Sequence, residues 1–210
     1  VSVSLRMLGV TCRHGTVTAV DRVDLDLAAG EHLAVTGTNG SGKSTLLRAI
    51  LGLHRQTSGL IEVAGVRARG PADWTRRRGE VAWIPQRQAA GRFPLLVREL
   101  LASSGHTEQA VDAAEGLGVG GLLDRPLGQL SGGQLQRAYL ARALGQVAAG
   151  AGMVLADEPT AALDFAGQEQ VAAVLAALPV SVVVVTHDRA VVDVCGRVAE
   201  MAAGRLRETR

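Results

Sequence analysis

The chain has 210 residues, a formal net charge of +2, 47% hydrophobic residues and only 2% aromatics. That length holds one domain, or a core with a small insertion, and buries a substantial core. The small charge and the scarcity of rings exclude a single-strand nucleic-acid binder built on stacking platforms, and no run approaches the roughly 18 apolar residues that span a bilayer.

Val1, Val3 and Leu5 alternate with polar residues, as do Val23, Leu25 and Leu27. The N-terminal segment therefore reads as half-buried antiparallel strands, without the apolar stretch of a signal peptide. Leu33-Ala34-Val35 is a short buried strand feeding Gly37-Thr38-Asn39-Gly40-Ser41-Gly42-Lys43-Ser44, and a helix follows from about Lys43 to Leu51. Ile61 and Val63 mark an edge strand, and Arg76-Arg77-Arg78 reads as a solvated loop. Val81–Ile84 is the next core strand, stopped by Pro85; from Leu95 to about Gly150 the pattern is helical.

Met153–Ala156 and Val182–Val185 are the continuous apolar runs of central parallel strands, with a helix from Gln168 to Leu178 between them. Gly204-Arg205-Leu206 is a final short strand. Cys12 and Cys195 have no metal-type spacing and fit ordinary thiols of a reducing compartment. Strands alternating with helices predict an α/β fold with a mainly parallel sheet covered on both faces. The helical block at about 87–150 interrupts that rhythm and is expected to be an inserted subdomain within one domain spanning residues 1–210.

Gly37 to Ser44 has the G-x-x-x-x-G-K-S spacing, in which backbone N–H groups wrap phosphate, lysine reaches the outer phosphates and the serine hydroxyl meets Mg²⁺. Lys43 is the one lysine among 22 basic residues; every other is arginine. A planar guanidinium is too wide for a tight phosphate cradle, whereas a compact ammonium follows the phosphates. The chain is thus expected to bind a nucleoside triphosphate.

In an open α/β sheet, ligands sit beyond the carboxyl ends of the strands. Three more strand ends carry suitable groups. Gln86 follows Pro85 and offers a neutral amide near the metal and γ-phosphate. Asp157-Glu158 closes the Met153–Ala156 run, with Asp157 assigned to Mg²⁺ and Glu158 to the attacking water. Thr186-His187-Asp188 closes the last run and offers an imidazole to the γ-phosphate. A further helix opens at Leu130-Ser131-Gly132-Gly133-Gln134, where Ser131 is a good N-cap and the two glycines admit an anion close to the backbone.

Leu130–Gln134 resembles the signature motif of ATP-binding cassette (ABC) ATPases. With the glycine loop, Gln86, Asp157-Glu158, Ala162-Leu163-Asp164 and His187, the order is similar to that family across most of the chain. The resemblance implies a P-loop NTPase with a RecA-like core, an N-terminal antiparallel β subdomain and an inserted helical subdomain. It implies ATP and Mg²⁺ as ligands, with Thr45 joining the loop's ATP contacts. Two copies would pack head to tail, so that Ser131, Gly132, Gly133 and Gln134 of one meet the ATP held by the other, with Asp164 coupling the two sites. Where such proteins stack adenine on an aromatic ring, this chain has His14, with Arg13 as the alternative contact.

The resemblance further implies an ATPase subunit on the cytoplasmic face of a membrane, driving separate transmembrane permease subunits without inserting itself. The alternative is a soluble ABC ATPase acting on nucleic acid or ribosomes; the single cassette, with no coiled coil, favours transport, and no nucleic-acid partner is expected. A regulator without turnover is disfavoured because Gln86, Glu158 and His187 are all in place. Phe93-Pro94-Leu95-Leu96-Val97-Arg98-Glu99 resembles the corresponding segment of zinc and manganese uptake ATPases.

Overall fold

β1 (Leu5–His14) and β2 (Val17–Leu27) form an antiparallel hairpin, after which β3 (His32–Thr36) runs into α1 (Lys43–Ile50). The computed structural model describes residues 1–86 and 94–210. β4 (Thr57–Val63) pairs with the free side of β1 and carries the two-residue β5 (Val66–Arg67) at its own edge. β4 is thus interior to its sheet rather than the edge that Ile61 and Val63 suggested.

α2 (Pro71–Glu80) precedes β6 (Val81–Ile84). Its core holds the arginine run, so the expectation of a solvated loop fails. Proline at the first turn and the Asp73 carboxylate accepting from the backbone N–H groups of Arg69 and Gly70 start this helix. Arg77 is buried, and its guanidinium donates to the carbonyls of Ile50, Ile61 and Val66 at 3.4, 3.1 and 2.8 Å. One side chain thus ties the end of α1 to β4 and β5. Arg77→Met is expected to lower unfolding free energy by about 3 kcal/mol, as the carbonyls lose their charged donor; denaturant titration measures it. Arg77→Lys should recover little, since an ammonium lacks the fork.

Beyond the undescribed residues come α3 (Val97–Ala102), α4 (Thr107–Gly116) and α5 (Gly132–Ala148), with two 3₁₀ turns between α4 and α5. Phe93, the first residue of the metal-uptake-like segment, and the start of the expected inserted subdomain lie outside the described residues. Among the described residues the region is helical, as expected. β7 (Met153–Asp157), α6 (Phe165–Ala176), β8 (Ser181–Val185), α7 (Arg189–Asp193), β9 (Arg197–Ala202) and β10 (Arg205–Glu208) complete the chain.

The larger sheet has the order β10-β9-β3-β8-β7-β6, parallel except for β10. β6 is the edge strand of this sheet among the described residues, yet Val81, Ala82 and Ile84 are buried as expected of a core strand. The Arg142 guanidinium, from α5, donates to the Trp83 carbonyl at 2.8 Å and covers that edge.

Alternation along fully apolar strands builds two cores. Val154, Ala156, Val182 and Val184 face α3 to α6, while Met153, Leu155, Val183 and Val185 face α1 and the β1–β2–β4 sheet. Each such Val or Leu contributes roughly 1.5–3 kcal/mol by leaving water. Both cysteines are free and buried, and burial pushes the Cys195 thiol up to about 11.

Candidate functional site

The loop between β3 and α1 can only be built with glycine at two places. Gly37 has φ +133°, and a Cβ there would lie 2.1 Å from the Met201 carbonyl oxygen; Gly42 has φ +109°, and a Cβ would lie 2.1 Å from that of Ala19. The loop is wedged between β9 and β2, so its backbone cannot relax away from a ligand. Lys43 is buried, its ammonium donating to the Gly37 and Thr38 carbonyls at 2.7 and 2.9 Å. The Ser41 hydroxyl is buried without a hydrogen-bond partner among the described residues. These donors lie ready for an anion.

A cleft of about 420 Å³ opens over the loop, a size usual for small-molecule sites. Asn39, Gly40, Gly42, Lys43, Ser44 and Thr45 form its floor, and His14, Gln86, Asp157 and Glu158 stand around it. The ends of β3, β6, β7 and β8 meet at this cleft, β8 through Val185; His187 does not line it but lies against Glu158. Arg13 does not line the cleft; its Nε donates to Thr18 instead. The Ser44 hydroxyl donates to Asp157 Oδ1 at 3.1 Å. Burial pushes the Asp157 carboxyl above its usual range, against the Ser44 hydrogen bond and with help from the neighbouring Glu158 charge. Hydroxyl, carboxylate and amide oxygens are the donors that Mg²⁺ prefers, and a cation there would reverse the shift.

Glu158 follows β7 with φ +49°, a left-handed backbone that costs a non-glycine residue about 1–3 kcal/mol. The conformation is held by its N–H donating to the Val185 carbonyl at 2.8 Å. His187 Nδ1 lies 3.0 Å from Glu158 Oε1. Oε2, 2.9 Å from the same nitrogen, is buried outside hydrogen-bond geometry. A neutral imidazole donating from Nδ1 has only a lone pair on Nε2. His187 can hold Glu158 and donate to a phosphate together only as imidazolium.

Ser131, Gly132, Gly133 and Gln134 lie elsewhere, in a shallow depression with Arg137, Ala162, Leu163 and Asp164. Among the described residues it shares no lining residue with the first cleft. Ser131 caps α5 reciprocally: its hydroxyl accepts from the Gln134 N–H at 3.2 Å, and its own N–H donates to Gln134 Oε1 at 3.0 Å. Gly133 packs so closely that a Cβ would meet the Ala162 carbonyl oxygen at 3.0 Å, and Arg137 lies 3.9 Å from Asp164. Asp164 caps α6 by accepting from the Gly167 N–H. Sequence reasoning missed Ala19 and Met201 as walls of the loop, Arg137 beside Asp164, and His54 against His14. None carries a motif signal, since each contact comes from distant chain.

A sequence profile described as ABC transporter matches residues 20–161. The zinc import ATP-binding protein ZnuC of Paramagnetospirillum magneticum is 36% identical over 200 residues, 90% of this chain and 69% of that protein. The manganese transport system ATP-binding protein MntB of Listeria monocytogenes is 33% identical, covering 88% and 80%. Other relatives at 36–40% identity carry names for methionine import, macrolide export and lipoprotein release. Among solved structures, the dimeric ATP-binding cassette MJ0796 with ADP and Pi superposes with a TM-score of 0.86 at 27% identity, over 98% of each chain. The glycine loop, the carboxylates of β7 and the capped start of α5 are thus parts of a known whole: the chain belongs to the ABC transporter family, as its ATP-binding and ATP-hydrolysing subunit.

Proposed function

We propose that two copies of this chain close head to tail around two ATP molecules and drive separate permease subunits at the cytoplasmic face of a membrane. The observation that carries this reading is the separation of the two anion-ready surfaces. The cleft with Lys43 lacks the Ser131 turn, and the Ser131 turn lacks a phosphate loop. Among the described residues no helix is long and apolar enough to cross a membrane.

In this arrangement Gly37 to Thr45 cradle the phosphates, with Lys43 on the β- and γ-phosphates and His14 under the adenine. Ser44, Asp157 and Gln86 would hold Mg²⁺, which would supply positive charge to the triphosphate. Glu158 accepts the proton of the attacking water, and His187 orients Glu158 or the γ-phosphate. Ser131, Gly132, Gly133 and Gln134 complete the partner's site. Asp164, packed beside Gly133 and Arg137, couples the two. In this reading residues 1–210 form one cassette, whose helical part, among the described residues, includes α3 to α5. For cargo we favour a divalent metal such as zinc or manganese, supported by the sequence of the Phe93–Glu99 segment and by the names of two relatives.

Mixing protomers tests the shared site. Lys43→Ala alone and Ser131→Phe alone should both lack turnover. In an equimolar mixture, random pairing restores about a quarter of the sites, because each mixed dimer keeps one intact loop facing one intact turn. Activity measured after co-refolding checks this, and no recovery would sink the head-to-tail reading.

A further inference from the structure

His14 sits at the tip of β1, and its placement is controlled by the turn that follows α1. The backbone N–H groups on either side of it, those of Arg13 and Gly15, both donate to Gln56, one to its carbonyl and one to its Oε1, each at 3.0 Å. His54, two residues earlier, presents its ring edge-on to His14, with centroids 4.6 Å apart and planes at 82°. That is the T-shaped geometry in which ring pairs attract.

His54 is itself pinned. The Thr57 hydroxyl donates to the His54 carbonyl at 3.0 Å, so its lone pair is what meets His54 Nδ1 at 3.3 Å. The neutral ring therefore carries its proton on Nδ1. Burial, with His14 and Arg48 nearby, holds His54 below the usual imidazole range, which favours the neutral ring.

We infer that His54 is a positioning residue for the nucleobase: through its edge contact, with Gln56 clamping the backbone, it sets the plane on which the adenine lies. This rests on the reading of His14 as the adenine platform. The arrangement compensates for a ring smaller than phenol. A lone exposed imidazole would lose rotamer freedom on stacking, whereas a braced one has less to lose. It also joins base and phosphate recognition physically, because Gln56 and His54 lie on the chain that leaves the helix begun by Lys43.

Dissociation constants for Mg-ATP and for Mg-tripolyphosphate, which has phosphates but no base, test the inference by calorimetry on the full chain. His54→Ala should weaken ATP about fivefold and leave tripolyphosphate and kcat at saturating ATP unchanged. His54→Phe, which keeps an edge, should restore ATP binding. In a His14→Ala background, His54→Ala should add nothing further. Gln56→Leu serves as a second variant should His54→Ala not fold, and the same base-selective loss is expected. Equal weakening of both ligands by His54→Ala would overturn the proposal, because the residue would then act through the phosphate loop. If His14→Ala weakens ATP but His54→Ala does not, the positioning role falls and the adenine reading stands. If His14→Ala leaves ATP binding unchanged, the adenine reading falls first.

Discussion

Glu158→Gln should bind ATP, lose turnover by about a thousandfold and accumulate as a dimer on gel filtration at saturating Mg-ATP. The amide keeps the shape and a hydrogen-bonding oxygen for His187, so the cleft should stay intact. What it loses is basicity, and removing a positioned general base costs about 10²–10⁴ in rate. The substitution also removes a negative charge from a site that must accept a triphosphate beside Asp157. ATP-bound closure should therefore be favoured rather than weakened. Two measurements separate the ideas within this expectation. Turnover within tenfold of the parent would remove Glu158 as the base. A monomer at saturating nucleotide would instead remove the shared site while leaving the chemistry of Glu158 untouched.

Lys43→Ala should reduce ATP affinity by about a hundredfold, the equivalent of one or two charge-assisted hydrogen bonds. The ammonium already bridges the carbonyls of Gly37 and Thr38, so the variant loses both a phosphate contact and the brace that shapes its cradle. Lys43→Arg is the sharper case. In a chain that uses arginine at every other basic position, arginine should still fail here, because the loop walled by Met201 and Ala19 cannot widen. Calorimetry with ATP, paired with a melting curve to confirm folding, decides both. An arginine variant with parental affinity would show that the loop recognises charge alone.

The parts of this molecule that could be read from the chain were those whose causes are local. Val182 to Val185 and Met153 to Ala156 are apolar at every position because both faces of the sheet are covered, and such runs are visible without a partner. Pro85 ends β6 where it was expected to. The signature turn was legible because a capping serine before two glycines is itself a local device. β9 escaped because Arg197, Glu200 and two alanines dilute its buried Val198 and Met201. α2 escaped for the same reason, with arginines where a helix normally shows its apolar stripe.

Arg77 is the clearest case of what was not legible. Its burial depends on carbonyls contributed by Ile50, Ile61 and Val66, residues that share no motif with it. His54 is similar. Its meaning comes from standing beside His14, which is 40 positions away in sequence and one ring's width away in space. The sequence placed His14 by its position before the second strand, but its ring partner His54 comes from packing and could not be read before folding.

The left-handed backbone of Glu158 has a further consequence for the chain's history. At that position thermal robustness and chemistry favour different residues. Glycine would relieve the torsional penalty, whereas under the proposed role only the carboxylate could take the proton of the attacking water. A copy released from that demand would be expected to drift there early, with its shape intact and its engine switched off.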